Sequence, residues 1–409
     1  MKKVSAVLAL LILLALGISF TYYFRGSHLS WHDIATLKAK PSPIGILSGD
    51  PLEPLGLKPG DLRETAGSER IRFLARSPYL NNARAVVTHT IDDATPGVKD
   101  CLDAMDRYGI KATVFVDTQS EAISELWPRL RQAISNGHEI GSHSRRHQCQ
   151  WPPTSLFCLR AYTDYEVTGS RKDILAQTPQ PYVWSWAYPC GNCAEREFVQ
   201  RKLARAGYLV ARPYPGEVED KHNLPDLQTY DSNPYYARYT QAVQKRGGIA
   251  KTGRTDLAEL NAKFDEVYKR GGIYSFLSHP QWLNFGPDKF YEQHLAYVGH
   301  RNDVWYVPMG PLYAYRTLRD DTAVRALDPL AALARYAVYT HLDPKIFNNS
   351  ITLAFFVPKT IAKVTTLAGG KALPERSQGL TDRWNSEYYR REGETVYVTV
   401  RPNTLLEFR

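Results

Sequence analysis

Short apolar runs alternate with amphipathic stretches through the middle of the chain. β-branched runs at residues 85–88 and 113–116 predict strands, and apolar positions spaced by three and four residues predict helices between them. The expected helices are residues 98–108, 123–134, 165–175, 196–206, 256–268 and 290–298, and the further strands end near Ile140 or span 182–186, 208–210, 273–277 and 304–307. This alternation predicts parallel strands covered by helices, as a barrel or an open doubly wound sheet.

The pattern changes on both sides of this alternating region. Residues 26–82 are rich in proline and glycine, which predicts a linker or an extension lying on the surface. After Tyr315 we expect a helical stretch at residues 330–339 and then the following strands: 351–357, 361–366, 395–400 and 405–408. The predicted organisation is an α/β domain over residues 83–315, followed by a helical connection and a small β-rich accessory domain over residues 316–409.

The first residues have the pattern of an export signal. Lys2 and Lys3 precede an uncharged apolar run over residues 4–24. The run is long enough to span a bilayer and ends without a small-residue cleavage site, so residues 1–25 are expected to be a retained membrane anchor rather than a removed signal peptide. The rest of the protein is then expected outside the cytoplasm, either anchored or secreted.

Composition and charge narrow the functional classes. Hydrophobic residues make up 43% and charged residues 23% of the 409 residues, which is typical of a globular protein. The net charge is +9, but lysine and arginine are scattered rather than gathered in a stripe, which disfavours nucleic-acid binding. A basic surface suits an anionic cell envelope or an acidic glycan equally well.

Five cysteines fit an oxidising compartment. Cys149 with Cys158, and Cys190 with Cys193, are close enough in sequence to form short-loop disulfides, which leaves Cys101 single. A cysteine-based zinc cluster is not expected, because no second pair with a two-residue gap completes a tetrahedral site.

Residues that can carry chemistry follow successive predicted strands. Asp92 and Asp93 end the first strand, and adjacent carboxylates suit a metal ligand beside a base, although an Asx turn and helix cap explain the pair as well. His143 and His147 are four residues apart and are expected on one face of a helical turn, where both rings reach one metal ion. His138, just upstream, is expected to be structural.

Two further segments follow later strands. Residues 185–191 read Ser-Trp-Ala-Tyr-Pro-Cys-Gly, and residues 276–280 read Phe-Leu-Ser-His-Pro. Alone, the first is typical of a turn and the second of a hydrogen-bonded structural histidine. Their order after Asp-Asp and His-x-x-x-His favours a single site at the carboxyl ends of parallel strands.

With these segments in this order, residues 83–310 resemble the polysaccharide deacetylase family, the NodB-homology carbohydrate esterases. The resemblance implies a distorted (β/α) barrel and a divalent metal, most often Zn²⁺, held by one aspartate and two histidines. Residues 90–94 are similar to the family's T-F-D-D-G motif, which implies Asp92 as general base and Asp93 as metal ligand. Residues 143–147 match H-[ST]-x-x-H and imply both histidines as the remaining ligands.

The remaining family motifs match with changes. Leu277-Ser-His279 matches L-x-H, which implies His279 as general acid and Leu277 as lining for the acetyl methyl group. The third motif reads Ala-Tyr-Pro-Cys-Gly at residues 187–191 and lacks the arginine that usually orients the catalytic aspartate, and a related subgroup implies Arg212 as its substitute. Cys190 stands where the family's tyrosine supplies a backbone N–H to the oxyanion hole.

Substrate contacts are expected from Trp186, Tyr188, Pro189 and Leu277, and Asp231 is the candidate for the aspartate that tunes the catalytic histidine. Aromatic residues that flank the motifs suit either sugar stacking or the core: Trp151, Trp184, Trp186, Tyr235, Tyr236 and Trp282.

The expected function is therefore removal of N-acetyl or O-acetyl groups from an envelope or extracellular polysaccharide, such as peptidoglycan, an exopolysaccharide or a chitin-like oligomer. Two alternatives stay open. One is a glycan-binding protein that has lost catalysis on the same fold, and the other is a metal-dependent amidase or esterase with a non-sugar acyl substrate.

Overall fold

The fold is known from a computed structural model. The model describes residues 28–63, 71–150, 152–213, 253–283, 285–327, 334–361, 363–366, 371–376 and 384–409. The predicted membrane anchor at residues 1–25 lies outside these ranges. Within them, no helix combines the length and the apolar character needed to cross a bilayer.

The secondary structure of the described residues alternates between strands and helices up to residue 321. The strands are β1 (Arg72–Arg76), β2 (Ala85–Asp92), β3 (Ala112–Val116), β4 (Glu139–Ser142), β5 (Ser185–Ala187), β6 (Val210–Arg212), β7 (Ile273–Ser278), β8 (Val304–Tyr306), β9 (Ala323–Ala326), β10 (Ala334–Tyr339), β11 (Ile351–Phe356), β12 (Val364–Thr366), β13 (Lys371–Ala372), β14 (Tyr388–Glu392), β15 (Thr395–Val400) and β16 (Thr404–Phe408). The helices are α1 (Trp31–Ala35), α2 (Val98–Arg107), α3 (Ile123–Ser135), α4 (Ser155–Ala161), α5 (Asp164–Gln177), α6 (Glu197–Arg205), α7 (Gly253–Arg270), α8 (Phe290–Val298) and α9 (Met309–Asp321).

A parallel sheet curls into part of a barrel at the centre of the α/β region, which confirms the predicted fold class. Its strand order is β6-β5-β4-β3-β2-β7, and β8 pairs with the start of β2. All eight residues of β2 are buried, as expected for a parallel strand covered on both faces. Because successive side chains alternate, Val87 and Ile91 face the core beneath the helices, while Val86 faces a second core.

The β-rich C-terminal region forms two antiparallel sheets, with strand orders β1-β11-β15-β14 and β13-β12-β16-β10-β9. Leu353, Phe355 and Phe408 from these sheets belong to the same apolar core as Trp184 and Trp305 from the barrel. The accessory region therefore shares its core with the parallel sheet, and burial of that common apolar surface stabilises both.

The predicted helix at residues 330–339 is wrong over its described part. Residues 334–339 form strand β10, which pairs antiparallel with β9 and with β16. Alanine and leucine favour helices in isolation, but pairing on both edges and burial of Tyr336 and Val338 override that local preference. The helical connection is instead α9, which runs across the boundary placed at residue 315.

Part of the proline-rich segment is a structural component of the accessory sheets. β1 pairs antiparallel with β11, and two isolated bridges join Ile46 to Leu342 and Arg63 to Ala326. This segment therefore contacts the C-terminal region at Ile46, Arg63 and β1 instead of only linking two parts.

A buried carboxylate joins the parallel sheet to α9. Glu139, the first residue of β4, accepts hydrogen bonds of 2.7 Å from Ser185 Oγ, Thr113 Oγ1 and the backbone N–H of Gly310. Burial raises the pKa of Glu139 even though these three donors favour the ionised form. Residue 310 is a glycine because a Cβ there would collide with the Glu139 carboxylate and would lie 2.5 Å from Trp184 Cβ.

Candidate active site

The residues predicted to carry chemistry converge at the carboxyl edge of the parallel sheet. Asp92 ends β2 and Asp93 follows it, His143 directly follows β4, Arg212 ends β6, and His279 directly follows β7. Parallel strands present their carboxyl ends at one edge, so residues from distant parts of the chain become neighbours there.

Three side chains at this edge form a candidate metal centre. Asp93 Oδ1 lies 3.3 Å from His147 Nε2 and 3.7 Å from His143 Nε2, and the two Nε2 atoms are 3.1 Å apart. Ligand atoms of all three residues lie within 4.8 Å of one another. The structure therefore brings together the three residues that the sequence predicts as ligands.

The ring of His143 is oriented by the main chain. Its Nδ1 donates a hydrogen bond of 2.9 Å to the carbonyl oxygen of Ala187, which leaves the Nε2 lone pair facing Asp93. Burial lowers the pKa of His143, and the neighbouring Asp92 and Asp93 carboxylates oppose this shift only partly. The neutral form, which is the form that binds a metal, is thereby favoured.

The loop between the two histidines is not helical, so the expected helical turn is wrong. Ser144 and His147 both have positive φ, 69° and 47°, and the loop folds back until the two rings meet with centroids 4.6 Å apart. The loop is closed by a hydrogen bond from His147 N to Ser144 Oγ at 2.9 Å. On its other side, His147 Nδ1 lies 3.7 Å from Cys149 Sγ.

Asp93 is held in a conformation that directs it into the site. Its φ is 72°, and its Oδ2 accepts a 2.8 Å hydrogen bond from Gln281 Nε2. The alternative role as helix cap is not observed, since Gly97 precedes the first residue of α2 and no side chain caps that helix. The next backbone N–H, of Ala94, donates to Asp117 Oδ1 at 2.8 Å.

Asp92 forms a buried ion pair with Arg212. One terminal nitrogen of Arg212 contacts both carboxylate oxygens of Asp92, and both side chains are less than a tenth exposed. Burial alone would raise the pKa of Asp92, but Arg212, helped by His143 and His279, lowers it below the usual value. Arg212 thus occupies the place expected for the missing arginine of the third motif.

His279 faces both aspartates across the site. Its Nε2 lies 4.0 Å from Asp92 Oδ2 and 3.9 Å from Asp93 Oδ2. Burial lowers the pKa of His279, and the two carboxylates counteract that shift. Asp231, the candidate to tune this histidine, lies outside the described residues.

Two disulfides brace the loops beside the metal centre, and their pairing differs from the expected one. Cys149 is bonded to Cys190 and Cys158 to Cys193, so both expected short-loop pairs are wrong, while Cys101 is a buried free thiol as predicted. The loops after β4 and β5 meet at the edge of the sheet, which brings the Cα atoms of the first pair to 5.9 Å. Proximity in space, rather than in sequence, decides the connectivity.

The turn that follows β5 carries Cys190 beside the site. Residues Pro189–Gly191 form a short 3-10 turn in which Cys190 has a φ of 52° and is exposed. Tyr188, just before it, is buried, and its backbone N–H donates to the carbonyl oxygen of Arg212 at 3.1 Å. Leu277 is buried as well, one strand residue before the end of β7.

Trp186, which is expected to contact substrate, lies in the apolar core. Its side chain is fully buried, and its ring packs 5.3 Å from the ring of Tyr208 and 6.0 Å from that of Tyr162. Trp184 is buried in the second core. The side chains of the other aromatic candidates, Trp151, Tyr235, Tyr236 and Trp282, are outside the described part of the chain.

Some residues of the site were missed by the sequence reasoning. Gln281 holds Asp93 from the segment after β7, and the only sequence signal was its position two residues after His279. Asp117 follows β3 and holds the backbone after Asp93, and burial raises its pKa. Its place directly after a parallel strand was the signal that identifies such residues. His138 has the predicted structural role, accepting from Ala112 N and contacting Asp106 at 3.0 Å each.

The donor set fits a zinc ion. One carboxylate and two imidazole nitrogens are the ligands of many catalytic zinc sites, which keep a further position open. Metal-binding histidines commonly donate their second ring N–H to an oxygen atom, which fixes the tautomer, and the hydrogen bond from His143 Nδ1 to a carbonyl oxygen has this form. The second group of nearby donors, His147 with Cys149 and Cys190, does not fit, because its two sulfur atoms are joined in a disulfide.

One family model matches part of the chain. The family model described as Polysaccharide deacetylase matches residues 80–211, which confirms the resemblance seen in the sequence. The match includes Asp92, Asp93 and the loop at residues 143–147, and it stops one residue before Arg212. No curated protein matches the chain.

Several solved structures are similar to part of the chain. Puue allantoinase is 15% identical with a TM-score of 0.43, and the match covers 59% of this chain and 92% of that one. A family 4 carbohydrate esterase from Streptomyces lividans in complex with acetate is 14% identical with a TM-score of 0.33, covering 53% and 86%. A polysaccharide deacetylase from Bacillus cereus is 15% identical with a TM-score of 0.34, covering 55% and 91%. Similarities with such low identities and TM-scores support no inference about activity.

Proposed function

We propose that this chain, whose residues 80–211 match the polysaccharide deacetylase family model, is a metal-dependent hydrolase that removes acetyl groups from an exported polysaccharide. The observation that carries the proposal is the convergence of Asp93, His143 and His147 on one point, with Asp92 and His279 beside it. A carboxylate and a histidine beside the three candidate ligands are the residue types that can serve as general base and general acid, which favours the hydrolase over the binding protein.

Asp93 and the Nε2 atoms of His143 and His147 would hold the metal, for which zinc suits the ligands best. When bound, the ion would act as a Lewis acid toward the acetyl carbonyl oxygen and would lower the pKa of a water molecule. The disulfide beside His147 and the hydrogen bond from Gln281 to Asp93 would limit the movement of two of the three ligands.

Asp92 is the proposed general base. Its lowered pKa keeps the carboxylate ionised at neutral pH, so that it can accept a proton from the attacking water. Arg212 would fix the orientation of the carboxylate through contacts to both oxygens. The backbone N–H of Cys190 would donate to the oxygen on which negative charge develops.

His279 is the proposed general acid. Water adds its oxygen to the acetyl carbonyl carbon, the bond from that carbon to the sugar nitrogen or oxygen breaks, and the departing group takes a proton from His279. The proton gained by Asp92 and the proton lost by His279 balance, and the products are acetate and a free amine or hydroxyl. Leu277 and Pro189 would line the acetyl pocket, while the buried Tyr188 supports the turn that carries Cys190.

The cell envelope or the extracellular space is the proposed location. The two disulfides are consistent with an oxidising compartment, and the apolar run at residues 4–24 would anchor the chain there. The substrate would then be an acetylated envelope or exported glycan.

Acetate release and zinc binding test the proposal together. The wild-type protein should bind one zinc ion and release acetate from a panel of N-acetylated and O-acetylated glycans, and a chelator should stop the release. His143→Ala should lose both properties and keep its circular dichroism spectrum, whereas His32→Ala, at an exposed histidine outside the site, should keep both. Bound zinc without acetate from any glycan would favour a binding protein, and acetate from non-sugar acyl compounds alone would favour the amidase or esterase.

A further inference from the structure

A buried glutamate on a neighbouring helix contacts the loop that carries both candidate metal-binding histidines. Glu166 lies in the first turn of α5, and its side chain has no exposed surface. Its Oε2 accepts hydrogen bonds from the backbone N–H groups of Arg145 and Arg146 at 3.0 and 3.1 Å. Its Oε1 accepts from Arg146 Nε at 2.5 Å and from Gln148 Nε2 at 2.9 Å. One carboxylate therefore accepts hydrogen bonds from four donors, which belong to three residues of the same loop.

This loop depends on contacts from outside for its conformation. It lies between β4 and α4, outside regular secondary structure, and Ser144 and His147 both adopt the left-handed backbone region. Non-glycine residues in that region cost free energy and persist only where surrounding contacts determine them. Backbone N–H groups buried without an acceptor would add a further cost. Glu166 supplies acceptors to the two N–H groups that lie between those strained residues.

The two histidines differ in how they are held. His143 directly follows β4, and its ring is fixed by the carbonyl oxygen of Ala187. His147 lies at the far end of the loop, so its position follows from the path of residues 144–146. A change in that path would therefore move His147 away from His143 while leaving His143 in place.

We propose that Glu166 is a positioning residue of the metal centre: by binding the backbone of residues 145 and 146, it fixes the loop so that His143 and His147 reach one cation. This inference rests on the proposed function, because it takes these histidines as metal ligands. Asp173, about two turns further along α5, adds a second attachment through two 2.7 Å contacts to the Arg145 guanidinium. That attachment holds a side chain and not the backbone, so it does not replace Glu166.

Asp33, on α1, provides a matched control because its carboxylate contacts the start of α5. It is buried like Glu166, accepts a 2.7 Å hydrogen bond from the backbone N–H of Asp164 at the start of α5, and pairs with Lys202. Its carboxylate contacts Ser30, Asp164 and Lys202, none of which belongs to the histidine loop. Asp33→Asn therefore removes a buried charge that holds α5 in place, without altering the acceptors of residues 145 and 146.

The test is calorimetric titration of the metal-free full chain with Zn²⁺, well below the unfolding temperature, for wild type, Glu166→Gln and Asp33→Asn. Loss of a residue that orients metal ligands typically weakens metal affinity about 10- to 100-fold, and we expect that loss for Glu166→Gln. Asp33→Asn should lower the unfolding temperature and keep the zinc affinity of wild type. If Glu166→Gln does not fold, Glu166→Asp serves, because it keeps the charge but withdraws the oxygens from the loop.

The outcomes separate this inference from the proposed function. Wild-type zinc affinity in a folded Glu166 variant would overturn the positioning role while leaving the metal centre intact. An equal loss in Asp33→Asn would also overturn it, because the effect would then come from docking of α5. Absence of zinc binding by the wild-type protein would instead refute the proposed function.

Discussion

Replacing Arg212 by glutamine should strongly destabilise the metal-free protein at neutral pH. The substitution leaves the Asp92 carboxylate buried and ionised without its main partner. In the wild type, the side chain of Asp92 is 4% exposed and that of Arg212 is 8% exposed, so solvent cannot take the place of the lost contact. Breaking such a buried pair from one side costs about 3 to 5 kcal/mol, and each 1.4 kcal/mol is about a tenfold change in the ratio of folded to unfolded protein.

The loss should depend on pH in a defined direction. The pKa of Asp92 is lowered in the folded wild type, so its ion pair stabilises the protein above the unfolded pKa, and that stability is lost as the pH falls through the folded pKa. Without Arg212, burial should raise the pKa of Asp92 instead. The variant should therefore come closer to wild type in acid, where its Asp92 becomes neutral.

The assay is urea unfolding followed by tryptophan fluorescence, in a chelator, for wild type, Arg212→Gln, Asp92→Asn and the double variant. The double variant carries neither buried charge and should be more stable than Arg212→Gln alone, which a double-mutant cycle measures directly. A loss below about 1 kcal/mol at neutral pH, the level of an exposed pair, would refute the assignment of a buried ion pair. So would a double variant no more stable than Arg212→Gln.

Two further predictions concern the disulfides and the carboxylate beneath the sheet. Removing the Cys149–Cys190 disulfide by serine substitution should lower kcat for deacetylation, whereas removing Cys158–Cys193 should leave kcat nearly unchanged. The sequence separations of 41 and 35 residues predict nearly equal stability losses of about 4 kcal/mol for the two disulfides. Equal effects on kcat would therefore contradict a special role of Cys149–Cys190 in catalysis. For Glu139, burial raises the pKa, so its contribution to stability is present below the unfolded pKa and is lost as the pH rises through the folded pKa. The glutamine of Glu139→Gln does not titrate, so the free energy of unfolding of this variant in urea should increase relative to wild type as the pH rises. Parallel curves of unfolding free energy against pH for the two proteins would argue against the raised pKa.

The chemistry of the site was predictable because it obeys a topological regularity. Asp93, His143 and His279 each follow a strand, and the carboxyl ends of parallel strands meet at one edge whatever the loops do. Residue types then limit the function, since a carboxylate and two imidazoles suit a metal. The local structure of the histidine loop did not follow from its spacing, because the turn between His143 and His147 is set by contacts to Glu166 and not by helical periodicity.

Features that join distant segments could not be predicted. The disulfide pairs depend on which loops meet, and sequence alone does not fix connectivity among four cysteines. Trp186 was assigned to substrate because it flanks a motif, but its position within β5 directs its ring into the core. Glu166 was within a predicted helix, yet its importance depends on how that helix docks beside the loop.

The strand β1 has a consequence for how this protein can be divided. It comes from before the barrel, and it completes a sheet whose other strands come from after it. A fragment ending at residue 315 would carry β1 without its neighbour and would expose apolar side chains of the shared core to water. A chain that contains the catalytic region alone should therefore aggregate, whether it arises by natural recombination or is made in the laboratory. It would need β1 and the C-terminal strands together to cover these side chains.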